Sequence, residues 1–383
     1  MFNNNFYLRT HKAAALICML FAISSCSSLS SLKFWDSGEV DLDEPKPLES
    51  ISSSKVIKVN WSKSFSGENL LGNFVPAFSS DIIFFADISG SLKSINQNTG
   101  SINWENNLNT LSSGVASGFG ILAVADDQGN LITINQDDGS IIWKVNLKAE
   151  VLAPVAIDAK LIIVKTGSGE LLGLDKSNGQ TLWSYRSKLP TLTIRGSSSP
   201  VIIANEIYVT FDNGRLGVFE LDSGFPLWDG AISYAKGASE LENIIDSDSN
   251  PVVEGGLVYT TNYQGNLSIF DIAQRRAVWQ SETSSFYSPL LLKGLILTVE
   301  SNSRLRSFST KTLQESWTSD DYLNRELSNP TNFSGYLVVG DYEGYIHLID
   351  PLNGKTVGSK KFSKNPIKKI VTRSKDFYVV DES

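Results

Sequence analysis

Short apolar runs alternate with polar turns along most of the chain. In the stretch Gly129–Trp143, "GNLITINQDDGSIIW", two apolar segments flank a polar turn that contains a glycine. Runs of four to six aliphatic and β-branched residues between turn residues predict β-strands. The glycine in the polar turn favours a tight hairpin between the two strands. The pattern predicts an all-β fold.

This fifteen-residue frame occurs seven times. The first six copies end at Trp104, Trp143, Trp183, Trp228, Trp279 and Trp317, and the seventh, Gly344–Gly358, keeps the spacing without tryptophan. Two further apolar stretches precede each copy, so that each unit contains four short strands. A repeat of about forty residues with four strands is typical of a β-propeller blade.

The two ends of the chain decide the expected number of blades. Seven complete units leave one strand around Val56–Phe65 and two strands within Ile367–Asp381. We expect these ends to pair into an eighth blade that closes the ring. The predicted fold over residues 56–383 is thus an all-β, eight-bladed β-propeller with four-stranded antiparallel blades. Whether the eighth blade has three or four strands stays open.

The N-terminus has the features of a secretory signal. Two basic residues precede the apolar run Ala13–Ile23, which is too short to span a bilayer as a helix. The segment "ISSC" that ends at Cys26 resembles the bacterial lipobox, in which the cysteine is lipidated. We predict a lipoprotein signal peptide over residues 1–25, a lipidated Cys26 with a flexible tether over residues 26–55, and anchoring to the membrane by the lipid. Ser27 after the cysteine implies sorting to the outer membrane.

Charge and cysteine content exclude several functions. The formal net charge is −8, and no basic patch of the kind that nucleic-acid binding requires is evident. Both cysteines, Cys18 and Cys26, lie near the N-terminus, so the rest of the chain has no disulfide, thiolate zinc site or cysteine nucleophile. The mature part has one histidine, His347, within a predicted strand, where we expect a packed side chain rather than a catalytic one.

The repeat resembles the pyrroloquinoline-quinone-type propeller repeat. Together with the lipobox, it resembles the BamB family, the propeller lipoproteins of the outer-membrane β-barrel assembly machinery. The most specific segments are Leu192–Pro200, Tyr263–Asp271 and Gly340–Asp350. The resemblance implies a non-catalytic scaffold without cofactors, anchored at the periplasmic face of the outer membrane. It also implies docking to the barrel subunit BamA, with other lipoproteins of the complex contacted indirectly.

Two connections between blades are longer than the others. The steps from Trp183 to Trp228 and from Trp228 to Trp279 span 45 and 51 residues, against 38 to 43 elsewhere. Insertions in repeat proteins collect in loops and often form a binding face. Because these two loops join successive blades, we expect them side by side on one rim.

The family resemblance assigns partner-binding roles within these loops. Leu192 and Ile194 would be apolar anchors, and the Arg195 guanidinium would bind a carboxylate or a carbonyl of BamA. Asp246 and Asp248 would bind the partner or hold the arginine loop in shape.

Two other classes of function stay open: a quinone-dependent dehydrogenase and a periplasmic propeller that binds sugars or peptides. No positioned partner for a catalytic base is evident. The segment "DSDSN" at Asp246–Asn250 matches the start of a calcium loop, but Pro251 replaces its turn glycine and Leu257 its bidentate glutamate. We therefore expect no metal ion.

Overall fold

The computed structural model describes residues 44–49, 57–65, 67, 73–188, 198–234 and 247–382. Its regular elements over these ranges are thirty β-strands. Within the same ranges, no helix has the length and apolarity needed to cross a membrane. The all-β prediction is confirmed. The predicted signal peptide, Cys26 and most of the predicted tether lie outside the described residues.

Twenty-eight of the strands form seven four-stranded antiparallel blades, each in simple chain order. Blade 1 contains β1 (Ala77–Ser79), β2 (Ile82–Ala86), β3 (Ser91–Asn96) and β4 (Ile102–Asn107). Blade 2 contains β5 (Ala116–Gly118), β6 (Ile121–Ala125), β7 (Asn130–Asn135) and β8 (Ile141–Asn146). Blade 3 contains β9 (Ala156–Ile157), β10 (Leu161–Lys165), β11 (Glu170–Asp175) and β12 (Thr181–Arg186). Blade 4 contains β13 (Val201–Ile203), β14 (Glu206–Phe211), β15 (Arg215–Glu220) and β16 (Pro226–Ala231).

The second half of the propeller repeats this order. Blade 5 contains β17 (Val252–Glu254), β18 (Leu257–Thr260), β19 (Asn266–Asp271) and β20 (Arg276–Glu282). Blade 6 contains β21 (Leu290–Leu292), β22 (Leu295–Val299), β23 (Leu305–Ser309) and β24 (Glu315–Ser319). Blade 7 contains β25 (Thr331–Phe333), β26 (Tyr336–Gly340), β27 (Tyr345–Ile349) and β28 (Thr356–Lys361).

The expectation of eight blades is wrong, because the propeller has seven. The remaining strands, β29 (Ile367–Arg373) and β30 (Asp376–Asp381), form a two-stranded hairpin. The described N-terminal segment 57–65 contains no strand and does not pair with this hairpin. Side chains hold this segment instead of a ladder: the Ile57 carbonyl accepts a hydrogen bond from Lys360 Nζ at 2.8 Å, and Trp61 Nε1 donates to the Gln97 carbonyl at 3.0 Å.

The C-terminal hairpin nevertheless lies between the last blade and the first. Asn329, before blade 7, donates its side-chain amide to the Ile370 carbonyl at 2.9 Å and accepts from the Ile370 N–H at 3.0 Å. On the other side, the Tyr378 ring lies 5.2 Å from the ring of Phe78 in β1 and 6.0 Å from the ring of Trp61. Side-chain contacts therefore connect the chain ends, where strand pairing was expected.

The hydrophobic core consists of the seams between neighbouring blades. At the first seam, Phe84 and Leu92 of blade 1 pack against Leu122 and Ile134 of blade 2, and all four side chains are buried. The second and third strands of each blade face neighbouring blades on both sides, and they therefore consist mostly of apolar residues. The outer fourth strands alternate between exposed and partly buried residues.

Tryptophan and glycine of the repeat form one contact between blades. Trp104 of blade 1 donates its indole N–H to the Gln136 carbonyl of blade 2 at 2.9 Å. Its ring packs against Gly139, where a Cβ atom would lie 2.7 Å from Trp104 Cε3. The same donor and acceptor arrangement occurs for Trp61 and Gln97, Trp143 and Lys176, Trp183 and Leu221, and Trp317 and Pro351. In these five contacts the tryptophan comes from one unit and the carbonyl from the next blade.

A short part of the predicted tether packs against the propeller. The Lys46 N–H donates to the Leu323 carbonyl at 3.0 Å, and Arg325 Nη1 donates to the Lys46 carbonyl at 3.0 Å. The Leu48 side chain packs against the hydrophobic seam between blades 6 and 7. Residues 45–49 are thus held by both backbone and side-chain contacts.

Candidate partner-binding rim

The antiparallel order of each blade places particular connections on one rim. The turn between the second and third strands and the connection to the next blade lie at the same end of the sheet. We call this end the loop rim and the other end the opposite rim. The first long connection runs from β12 to β13 and the second from β16 to β17, so both begin and end on the loop rim.

Of the five site residues predicted from the sequence, four lie outside the described residues: Leu192, Ile194, Arg195 and Asp246. Asp248 lies within them. Their roles in partner binding stay predictions. The residues that flank both loops are described, and their hydrogen bonds show how the loop ends, here called the loop roots, are held to the blades.

The roots of the two loops are joined by the Asn250 side chain. The Ser199 N–H, just after the first loop, donates to Asn250 Oδ1 at 2.6 Å. The Asn250 carbonyl accepts from Ser288 Oγ, in the connection to blade 6, at 2.9 Å. Where the first loop begins, Asn213 Nδ2 donates to the Lys188 carbonyl at 3.0 Å. These contacts bring successive connections together on the loop rim.

Sequence reasoning missed Asn250, although a signal was present. The tripeptide "SNP" occurs at Ser249–Pro251 and again at Ser328–Pro330. In the second copy, Asn329 Oδ1 accepts from the Ile370 N–H, as Asn250 Oδ1 accepts from the Ser199 N–H. In both copies the asparagine lies before a proline that directly precedes a blade's first strand, and it links that blade to another segment.

Asp248 belongs to a charged cluster at the root of the second loop. Burial, with the negative charges of Asp248 and Glu326, raises the pKa of Tyr287 to about 12. Burial lowers the pKa of Lys369 in β29, and the Asp248 carboxylate opposes that shift. Lys369 Nζ lies 5.5 Å from the centre of the Tyr287 ring. The structure thus places the Asp248 charge close enough to act on groups of the hairpin and of the connection to blade 6.

Aromatic side chains also lie on the loop rim beside the second loop. Tyr234, where that loop begins, is 69% exposed. Tyr263 and Phe286 stack with their ring centres 4.6 Å apart and an interplanar angle of 11°. Aromatic residues are enriched in protein interfaces because they bury a large area at a small loss of side-chain entropy.

A polar groove of about 630 Å³ lies between blades 5 and 6 on this rim. Arg306 lines the groove and donates to Glu300 Oε1 at 3.2 Å, to Glu315 Oε2 at 2.6 Å and to the Glu282 carbonyl at 2.7 Å. The charges of the groove are therefore largely engaged with one another.

The contacts of His347 are those of a structural residue within the fold. Its side chain is fully buried, with Nε2 3.2 Å from Asp341 Oδ2 and Nδ1 2.9 Å from Ser359 Oγ. Asp341 also accepts from Arg325 Nη2 at 2.7 Å, and Arg325 pairs with Glu343 as well. Both ring nitrogens of His347 are thus engaged within the fold. Across the described ranges, no three His, Cys, Asp or Glu side chains are grouped so as to hold a metal ion.

Comparison with known proteins identifies the family. The family model described as outer membrane protein assembly factor BamB matches residues 88–319, which is more than half of the chain. The chain belongs to the BamB family. The BamB protein of Vibrio cholerae is 33% identical over 322 residues, which cover 82% of this chain and 83% of that protein. BamB of Escherichia coli K12 is 28% identical, covering 94% of this chain and 96% of that protein.

Solved structures agree with this assignment. The crystal structure of BamB from Moraxella catarrhalis matches with a TM-score of 0.76 and 26% identity, covering 80% of this chain and 93% of that one. A europium-containing methanol dehydrogenase matches with a TM-score of 0.68 but only 11% identity, covering 84% of each chain. The likeness to the dehydrogenase shows a shared fold alone, whereas the BamB match adds sequence identity over most of the propeller.

Proposed function

We propose that this BamB-family chain is a non-catalytic scaffold lipoprotein of the outer-membrane protein assembly complex. It is anchored through Cys26 at the periplasmic face of the outer membrane. There it docks the periplasmic domains of the BamA barrel subunit and assists the folding and insertion of β-barrel proteins. Its relatives are named as outer membrane protein assembly factors, which supports this role.

The observation that carries the docking part of the proposal is the common rooting of the two long loops. Both connections begin and end on the loop rim, and the Ser199–Asn250 hydrogen bond of 2.6 Å joins their returning ends. Because the described ends of the two loops are held next to each other on packed blades, the loops are positioned to bind one partner together. Holding the loop ends in place before binding reduces the entropy lost on association.

Within this surface, each predicted residue has a distinct task. Leu192 and Ile194 bury apolar area against BamA, and Arg195 donates to a carboxylate or to a backbone carbonyl. Asp246 binds a donor of the partner. Asp248 acts at the loop root, where its charge affects Tyr287 and Lys369.

The test is capture of the purified periplasmic domains of BamA by the mature protein. Reversing a charge at a central interface residue costs about 2–4 kcal/mol, so we expect Arg195→Glu and Asp246→Lys each to weaken binding by at least about thirtyfold. Arg276→Glu is the matched control, because this exposed arginine lies on the opposite rim at the start of β20. Unchanged binding by both loop variants, with intact far-ultraviolet circular dichroism, would show that the loops are not the docking surface.

A further inference from the structure

We infer that a buried hydrogen-bond network sets the relative position of the two long loops, and that Lys165 and Asn250 are its positioning residues for partner binding. The inference rests on the proposed docking function. It adds a mechanism by which residues away from the contact surface control affinity.

The network starts at Lys165, at the end of β10 in blade 3. Its side chain is only 3% exposed, although the corresponding residues of blades 1, 2 and 7 are the small Ala86, Ala125 and Gly340. Lysine is rarely buried to this extent unless its charge is paired. Its presence beside the first long loop therefore requires partners.

All three donor positions of the Lys165 ammonium are used. Lys165 Nζ donates to Ser198 Oγ at 2.6 Å, to the Thr210 carbonyl at 3.1 Å and to Asp212 Oδ1 at 3.3 Å. The Asp212 side chain is also buried. Ser198 directly follows the first loop, so a side chain of blade 3 ties the end of that loop to blade 4.

The network continues into the second loop. Thr210 Oγ1 donates to the Ser249 carbonyl at 2.8 Å, and the Ser199 N–H donates to Asn250 Oδ1 at 2.6 Å. Ser198, Thr210 and Ser249 are all fully buried. An unbroken path of hydrogen bonds thus leads from blade 3 through the end of the first loop to the end of the second.

A buried polar network of this kind favours one arrangement over near alternatives. Apolar seams tolerate small shifts, because dispersion contacts have little directional preference. Hydrogen bonds in a low-dielectric interior lose much of their energy when donor and acceptor move apart, and leave desolvated groups without partners. The network is therefore suited to holding the two loops in register with each other.

Two substitutions at Asn250 separate positioning from stability. Asn250→Leu removes the acceptor of the Ser199 N–H, whereas Asn250→Asp keeps an acceptor oxygen at the same place. The double variant Lys165→Met/Asp212→Asn removes both buried charges together and so leaves neither unpaired. Lys144→Met is the control, because it breaks an ion pair of 2.9 Å with Asp126 in blade 2, which neither long loop joins.

The first readout is the distance distribution between spin labels at residues 197 and 245, which come just before the described ends of the two loops that the network holds. Replacing Cys26 by serine leaves Cys18 of the signal peptide as the only other native cysteine. We expect Asn250→Leu and the double variant to broaden the distribution. Asn250→Asp and Lys144→Met keep the width of the parent protein.

The second readout is affinity for the periplasmic domains of BamA, measured well below the unfolding temperature of each variant. Loss of one preorganising hydrogen bond corresponds to about a tenfold weaker affinity, which Asn250→Asp restores. An unbroadened distribution in Asn250→Leu, or equal loss of affinity in Asn250→Asp, would overturn the inference. If BamA does not bind the parent protein, the proposed function fails, but the label distances still decide whether the network positions the loops.

Discussion

The contact between Trp104 and Gly139 gives a quantitative test of how blades are joined. Gly139 has φ +75°, in the left-handed region, and a Cβ atom there would lie 2.7 Å from Trp104 Cε3 and 2.9 Å from Cδ2. Gly139→Ala therefore adds two penalties. The left-handed conformation costs a residue with a Cβ atom roughly 1–2 kcal/mol, and overpacking against the indole costs about 1–3 kcal/mol more.

A control in the same blade isolates the second penalty. Gly120 has φ +82°, but a Cβ atom at Gly120 would have no neighbour within 4 Å. Gly120→Ala should therefore reduce the stability only by the penalty for the left-handed backbone conformation. In blade 5 the corresponding turn position is Arg275, with φ +55°, so backbone conformation alone does not require glycine there. At residue 139 the close approach of the Trp104 ring adds to the backbone preference for glycine.

The assay is thermal unfolding of the mature protein, followed by circular dichroism and tryptophan fluorescence. With a shift of about 2 °C per kcal/mol for a chain of this size, Gly120→Ala lowers the midpoint by about 2–4 °C and Gly139→Ala by about 4–10 °C. Trp104→Leu should reduce the additional penalty at residue 139. Equal midpoints for the two alanine variants would refute the role of the indole contact.

Three further predictions concern other parts of the fold. Arg325→Met should destabilise the protein by about 3–5 kcal/mol, because it leaves the buried Asp341 carboxylate without its cation; chemical denaturation measures this loss, and a change below about 1 kcal/mol would contradict it. Trp61→Ala should cost about 2–3 kcal/mol by freeing the N-terminal segment from blade 1, whereas Val59→Ala, at a side chain 61% exposed, should leave the thermal midpoint unchanged. Burial opposes ionisation of Asp126, but hydrogen bonds from its neighbours outweigh it and hold the pKa below the ordinary 3.8. The associated stability is therefore present above pH 3.8 and lost as the pH falls through the lower folded value, so Asp126→Asn should show a weaker acid dependence of the thermal midpoint.

Local patterns in the chain were sufficient to predict the blade architecture. Strand periodicity, turn glycines and the spacing of tryptophan act within about forty residues, so the structure of each repeat can be predicted from its own residues. The side-by-side roots of the long loops also followed from repeat spacing, because insertions between fixed units must lie in the connections. The hydrogen bond between Ser199 and Asn250 did not follow from the sequence, because nothing near residue 250 indicates that Ser199 is its donor.

The number of blades depended on contacts between distant residues. The sequence shows strand-like segments at both ends, but it does not show whether they pair. In the structure the N-terminal segment is held by side chains of distant residues, with Lys360 Nζ donating to the Ile57 carbonyl and Trp61 Nε1 to the Gln97 carbonyl. Composition and periodicity by themselves determined an all-β propeller with interlocking blades. Only the tertiary structure decided how the ring closes and which buried polar side chains join its loops, because the sequence does not specify which distant donor meets which acceptor.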